Sequence, residues 1–362
     1  MKIHICYEFE EKHGGGGTSV LENLRNSFIE MDSYSEDPQN ADIILFNSFH
    51  AINDIINLKL KFPEKVFVHR IDGPMGVYNS PLDLRDEYVF ILNKYIADAT
   101  IFQTEWSKKA CQIIGLNTNN QPSKTIINAP DREIFNPVAR KYISTDKFKI
   151  FYASWSYNIN KGFDTLHWID KNFNWDEYDF NFAGRTAYPF QNINELGSLS
   201  KSEIAYQLKN SHLFLFASKF DPCSNSLAEA IATGIPVLCY NGGGSPELLP
   251  KNALTYSYDH EIPEALERIK QDYESFSSLQ PYYDFQVMVQ AYTNFFEGAL
   301  LSRGKTKDFN ILHSLIMQMR VLTIKLLNKS PILSRSHGLL TGKYQKKLKI
   351  QHLNRKILNE KR

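Results

Sequence analysis

A chain of 362 residues is too long for one comfortable hydrophobic core and points to two domains. Its 43% hydrophobic and 22% charged residues fit an ordinary soluble protein, and four scattered cysteines (Cys6, Cys111, Cys223, Cys239) without a CxxC pair argue against both a disulfide framework and a zinc site. The net charge of +1 conceals an asymmetry: Arg303 to Arg362 carries 15 bases against 2 acids, a net +13, which leaves the preceding residues at −12.

Short apolar, β-rich runs alternate with amphipathic stretches. Strands are expected at Ile3–Tyr7, Ile43–Phe49, Val66–Ile71, Thr100–Gln103 and Thr125–Asn128, with helices over Val20–Met31, Leu84–Ala97 and Trp106–Ile114. The alternation pauses at Asn136-Pro137, and the polar segment Val138–Lys147 reads as a linker. It restarts with strands at Phe148–Ala153, Tyr178–Ala183, Leu213–Ala217, Pro236–Tyr240 and Ala253–Tyr256. The matching helices are Phe163–Phe173, Lys201–Asn210, Ser226–Thr233, Pro263–Tyr273 and Tyr283–Leu300. Such βαβα alternation predicts an α/β protein with parallel sheets. Three parts follow: a Rossmann-like domain over 1–140, a second over 141–302, and a basic helical tail over 303–362. The site is expected in a cleft between the two domains, near the carboxyl ends of both sheets. The start, Met1-Lys2-Ile3-His4-Ile5, lacks the apolar stretch of a signal peptide. No run of about 18 apolar residues occurs, so no membrane span is expected and a cytoplasmic location is.

The densest motif runs from Phe220 to Val237: Phe-Asp-Pro-Cys-Ser-Asn-Ser-Leu-Ala-Glu-Ala-Ile-Ala-Thr-Gly-Ile-Pro-Val. It reads as loop, short helix, glycine stop and strand. The helix N-terminus presents unpaired N–H groups and suits a phosphate, while Glu229, one turn in, can accept hydrogen bonds from a vicinal diol. A second reading stays open, in which Ser224 or Asn225 only caps the helix and Glu229 pairs with a surface base. The stretch resembles the acid-x7-acid signature of retaining glycosyltransferases of the GT-B fold, above all glycosyltransferase family 4 (glycosyl transferases group 1). That resemblance implies two doubly wound domains and a nucleoside-diphosphate-sugar donor. It implies that Glu229 holds the ribose hydroxyls, that Asp221 meets the donor sugar, and that the backbone of Cys223, Ser224, Asn225 and Ser226 meets sugar and diphosphate. The family usually has Glu where this chain has Asp221.

Ser154 to Asp164 ends a strand, contains Lys161-Gly162 and opens a helix, as does the family's Lys-Gly turn; Lys161 would then neutralise the diphosphate as a point charge. The family often has an Arg five residues earlier, where this chain has Ser156. Asn241-Gly-Gly-Gly-Ser-Pro-Glu247 resembles the family's Gly-Gly-x-Pro-Glu turn. In the first half, Gly14-Gly15-Gly16-Gly17-Thr18 is neither GxGxxG nor a P-loop, which speaks against a dehydrogenase. The family has a similar loop near the donor phosphate, implying that role for Gly17 and Thr18. His69-Arg70-Ile71-Asp72-Gly73-Pro74 ends the third strand; counting places Asp72 where the family has a sugar-contacting His, and a structural Arg70–Asp72 pair is the competing reading. His69 alternates onto a sheet face and reads as structural.

The implied chemistry needs no obligatory metal and no other cofactor. A rival within the fold is an epimerase or phosphorylase; a rival of another class is a non-catalytic sugar- or nucleotide-binding subunit. The tail has apolar residues at helical spacing over Ile311–Leu327, with Arg320 and Lys325 interrupting and Lys343, Lys346, Lys347, Lys349, Arg355 and Lys356 following. Two readings are open: a helix packed on the acidic body, or an interfacial helix on the anionic inner membrane face, where a lipid-linked acceptor waits. Nucleic acid is disfavoured by the acidic body.

Overall fold

A computed structural model describes residues 1–9, 16–80, 83–118, 121–138, 140, 145–186, 188–250, 253–277, 284–302, 309–329, 336–337, 342, 345–347 and 349–350. Gly14 and Gly15, half of the 138–147 linker, Lys343, Arg355 and Lys356 lie outside the described residues. Strands β1 (Ile3–Cys6), β2 (Ile43–Asn47), β3 (Val66–Ile71), β4 (Ala99–Phe102) and β5 (Ser123–Thr125) form one sheet in the order β1-β2-β3-β4-β5. Its helices are α1 (Gly16–Glu30), α2 (Ile52–Lys61), α3 (Met75–Tyr78), α4 (Arg85–Tyr95) and α5 (Glu105–Ile114). The second sheet holds β6 (Phe148–Ser154), β7 (Tyr178–Gly184), β8 (Asn194–Gly197), β9 (Leu213–Phe216), β10 (Val237–Tyr240) and β11 (Leu254–Tyr256), in the order β11-β10-β9-β6-β7-β8. With it go α6 (Phe163–Asn172), α7 (Lys201–Lys209), α8 (Asn225–Ala232), α9 (Ile262–Gln271) and α10 (Tyr273–Ser277). Helices α11 (Phe285–Leu301) and α12 (Ile311–Asn328) follow. Every strand pairing is parallel, as the βαβ alternation requires.

The chain divides into two compact units, Met1–Ile127 with Gln286–Arg362, and Asn128–Phe285. The expected boundaries after residues 140 and 302 thus differ from the observed ones: nearly all of α11 and the tail group with the first sheet. The reason is packing. Tyr292 and Phe296 are fully buried, Phe296 meets the ring of Phe28 in α1, and the Tyr292 hydroxyl accepts from Arg70 Nε at 3.1 Å. Helix α12 also belongs here: Met317, Val321 and Ile324 join a core cluster with Ile55 and Ile56 of α2, Phe67 of β3, and Tyr88 and Leu92 of α4.

The second sheet contains a point where strand order reverses, whereas the first runs in sequence order from β1 to β5. In the second unit β6 lies between β7 and β9, so the connections that leave β6 and β9 part around a crevice at the carboxyl ends of these strands. In the first unit Ile3 of β1 pairs with β2 on one side and bridges Tyr34 on the other. Among the described residues no helix is long and apolar enough to cross a membrane.

Candidate functional site

In the second unit the reversal point collects the expected side chains. After β6 the chain makes a one-turn 3-10 helix, Ile159–Lys161, with the Asn158 side chain accepting from the Asn160 N–H at 3.0 Å. Gly162 then takes φ +83°, and a Cβ there would stand 2.3 Å from the Ala217 carbonyl oxygen, so only glycine lets this turn press against the end of β9. The Asn160 carbonyl accepts from the Lys219 N–H at 2.8 Å and from Ser218 Oγ at 3.2 Å. These contacts fix the β6–α6 turn to the β9–α8 loop, and Lys161 Nζ donates to Asp221 Oδ2 at 2.7 Å across the join.

Asp221 is itself held on three sides. Its Oδ1 accepts from the Cys223 N–H at 3.3 Å, and its carbonyl accepts from the Gly244 N–H at 2.8 Å. Gly243, at φ +67°, lies so close that a Cβ would meet the Asp221 carbonyl oxygen at 2.6 Å. The Gly-rich turn after β10 is therefore a clamp on the first acid of the signature.

Helix α8 starts where the motif predicts. Ser224 caps it, accepting from the Leu227 N–H at 3.4 Å, with Ser224 Oγ and Ser226 Oγ 3.0 Å apart. Asn225 accepts from the Asn128 side chain at 3.0 Å. The capping reading of Ser224 therefore holds, whereas Glu229 has no base against it: its carboxylate makes no ion pair and no hydrogen bond with any described residue. It is half-buried, and desolvation pushes its pKa up to about 8 against a weak opposing pull from Lys201. A half-buried carboxylate left without donors, one turn behind a helix N-terminus, suits hydroxyl groups brought by a ligand.

In the first unit Asp72 is the hub of a polar network at the ends of three neighbouring strands. Its carboxylate accepts from Asn47 at the end of β2, from Arg70 in β3 and from Gln103 just after β4, while its N–H donates to Ser48 Oγ at 2.8 Å. Arg70 is fully buried and also donates to Asn47 Oδ1 at 2.7 Å. Burial opposes its charge, but Asp72 and Tyr292 outweigh that and raise its pKa. Gly17 sits over this network; a Cβ there would come within 3.1 Å of Asp72 Oδ2. Thr18 is tied to Tyr7, hydroxyl to hydroxyl at 2.7 Å. His69 is structural, as its register predicts: fully buried, stacked on Phe46 and hydrogen-bonded to the Ser48 carbonyl at 3.0 Å.

The structure thus joins Lys161 to Asp221, Cys223 and Ser224 in one unit, and Gly17 to Asp72 in the other. Sequence reasoning missed Asn47 and read the Phe102–Ser107 stretch with Gln103 as scaffold; both residues stand at strand carboxyl ends, the one signal that points to them. At the end of β7 the Arg185 guanidinium lies 5.1 Å from the centre of the Trp155 ring. A cavity of about 390 Å³ beside β1, lined by Tyr7, Glu8, Phe9, Arg25, Tyr34 and Asp54 among others, contains none of the expected site residues.

Residues 190–280 match the family model of glycosyl transferases group 1, a span that includes the Asp221–Glu247 block. In fold the chain is similar to HepE of Anabaena in complex with UDP and glucose, with a TM-score of 0.63 and 14% identity over 82% of this chain and 100% of that one. It is similar also to sucrose-phosphate synthase from Thermosynechococcus elongatus, with a TM-score of 0.59 and 13% identity over 79% of each chain. A third is the lipopolysaccharide outer core galactosyltransferase WaaB, with a TM-score of 0.57 and 16% identity over 82% of this chain and 99% of that one. The architecture is therefore that of the GT-B fold. The residues that match the family model lie within its second unit. Among curated proteins, Uncharacterized protein 356 of Sulfolobus islandicus rod-shaped virus 1 is 27% identical over 201 residues, which is 51% of this chain and 56% of that protein's length.

Proposed function

We propose that the protein transfers a glycosyl group from a nucleoside-diphosphate sugar to a hydroxyl of a saccharide or lipid-linked acceptor, with retention of anomeric configuration. The observation that carries the reading is the Lys161–Asp221 pair at the β6/β9 reversal point, in the same unit as a capped helix whose Glu229 carboxylate has no donor among the described residues. In this reading Glu229 holds the ribose hydroxyls, Asp221 meets the donor sugar, and the backbone and hydroxyls from Cys223 to Ser226 face sugar and diphosphate. The anomeric C–O bond to phosphate breaks through an oxocarbenium-like state, and negative charge grows on the leaving diphosphate. Lys161 and the N-terminus of α8 stabilise that charge. The acceptor oxygen bonds the anomeric carbon and its proton passes to a leaving phosphate oxygen, so no metal and no separate base is required. Asp72, fixed by Arg70, Asn47 and Gln103, orients the acceptor hydroxyl.

The Anabaena relative in complex with UDP and glucose supports a uridine-type donor. The setting that fits is cytoplasmic synthesis of a cell-surface glycan, at the inner membrane face. A thermal-shift screen of nucleotide sugars, followed by NMR of the product's anomeric configuration, tests the reading. Stabilisation by a donor with transfer or hydrolysis supports it; binding without turnover favours the non-catalytic subunit; inverted product overturns retention.

A further inference from the structure

Helix α12 has two apolar faces and the core uses only one. Ser314, Met317, Val321 and Ile324 point into the first unit's core. On the other side Leu312, Leu315, Met319, Leu322 and Leu326 are each more than half exposed, as is Ile311. Their spacing of three, four, three and four residues makes one continuous stripe along the helix. A folded monomer rarely leaves such a stripe bare without a partner for it.

The charges around the stripe select the partner. Helix α12 contains no acidic residue; Arg320 and Lys325 on it and Lys329 just beyond it are exposed. Downstream, Lys346, Lys347 and Lys349 follow, within a tail of net charge +13. A second copy would bring an equally basic helix against this one and provide no acid to meet it. An anionic lipid surface accepts both features: leucines enter the acyl boundary while arginine and lysine reach the headgroups. The tail's described end stays on the protein, since Ile350 is fully buried and Lys346 Nζ donates to the Ile114 carbonyl at 3.4 Å. The helix is thus presented by a fixed support.

We infer that the exposed Leu312–Leu326 stripe of α12 is a docking surface for an anionic membrane, with the opposite face serving as the anchor to the first unit. This extends the proposed membrane setting to a named face, but lipid binding itself does not depend on the transfer reaction. It is tested on the full chain by co-sedimentation with phosphatidylglycerol vesicles and with phosphatidylcholine vesicles, at low and at physiological salt. Binding to the first, weakened by salt and by Arg320→Gln/Lys325→Gln, is expected. Leu315→Ser/Leu322→Ser should lower partitioning by about 100-fold, on the order of tenfold per leucine withdrawn from water. Both leucines are exposed, so this variant should keep its melting temperature and its donor binding. No binding at low salt, or undiminished binding by the leucine variant, overturns the inference. So does a dimer in sedimentation that the leucine variant dissolves while vesicles are ignored. Loss of turnover in Lys161→Ala with vesicle binding intact, or the reverse in the leucine variant, keeps the two readings separately testable.

Discussion

Lys161 Nζ lies 2.7 Å from Asp221 Oδ2, so two residues sixty positions apart form one ion pair at the ends of the neighbouring strands β6 and β9. Their side chains are 17% and 9% exposed, enough burial for each to need the other. Removing one partner from a buried pair leaves a stranded charge, whereas removing both is often nearly neutral. Lys161→Met and Asp221→Asn should each lower stability by about 1–3 kcal/mol, less than a fully enclosed pair loses. The double variant should regain most of that. Turnover should behave differently: each single variant is expected to lose about 10–100-fold in kcat/KM, with Lys161→Arg milder than Lys161→Ala, and the double variant should recover none of it. Urea titrations beside donor-hydrolysis rates check this. Recovery of activity with stability would make the pair purely structural.

Glu229 gives a pH-dependent signature. Its pKa is pushed from the ordinary 4.5 to about 8 by burial. A raised carboxyl pKa means the folded protein holds a proton that the unfolded chain releases. The stabilising contribution is therefore full below pH 4.5 and is lost progressively as pH rises to about 8. Glu229→Gln lacks this loss, so its melting temperature relative to wild type should climb between these limits and then level off. Nucleotide affinity should move the other way. Above about pH 8, where the side chain is ionised, the variant forfeits a charge-assisted bond of about 1.5–3 kcal/mol, or roughly 10–150-fold in Kd, and the difference shrinks at lower pH. Calorimetry across pH 5 to 9 reads both; wild-type affinity in the variant removes Glu229 from the site.

Apolar patterning made most of the fold legible. Val66–Ile71 is the third strand as expected, because all six residues are buried and the run is bounded by polar residues. The edge strand β8, Asn194–Gly197, was missed: it is largely exposed and has Leu196 as its single apolar residue, so no burial pattern marks it. Helix α1 begins at Gly16, four residues before the apolar periodicity does, since glycines leave no pattern. The joining of Lys161 to Asp221 was not visible either. Both residues were legible as site candidates, but only strand order makes β6 and β9 neighbours, and local sequence does not encode that order. The affiliation of α11 with the first unit was hidden for the same reason, resting on Tyr292 meeting Arg70 more than 200 positions away.

Asp72 answers to two demands. It balances Arg70, which is fully buried, and in the proposed reaction it orients the acceptor. Asp72→Asn strands that guanidinium and should destabilise the first unit by about 3 kcal/mol. Tyr292→Phe removes the acceptor of a charge-assisted hydrogen bond from the Arg70 guanidinium and should lose about 1.5–3 kcal/mol. The readout that separates the roles is donor binding: with Asp221 and Glu229 in the other unit, Asp72→Asn should retain nucleotide affinity while transfer to acceptor falls. Tyr292→Phe should lose stability with little change in transfer per folded molecule. If transfer follows stability alone in both variants, Asp72 only fixes the turn.

Gly17 separates stability from activity most cleanly. It lies in the first turn of α1, where alanine is favoured over glycine by about 0.5–1 kcal/mol. The added methyl, however, would stand 3.1 Å from Asp72 Oδ2 and 3.7 Å from Asn47 Nδ2. Such a contact is relieved by a shift of a few tenths of an ångström, and the Asp72 carboxylate is the more exposed partner, held by three hydrogen bonds. The strain of that shift is expected to roughly cancel the helical gain. Gly17→Ala should therefore melt within about 0.5 kcal/mol of wild type. Its kcat for transfer should fall about tenfold, because displacing an orienting group weakens catalysis steeply. Nucleotide affinity measured without acceptor should change far less. Thermal denaturation, steady-state transfer and calorimetric titration on the same preparation decide the matter. A variant that transfers at the wild-type rate would show that the space between Gly17 and Asp72 is not used by the reaction.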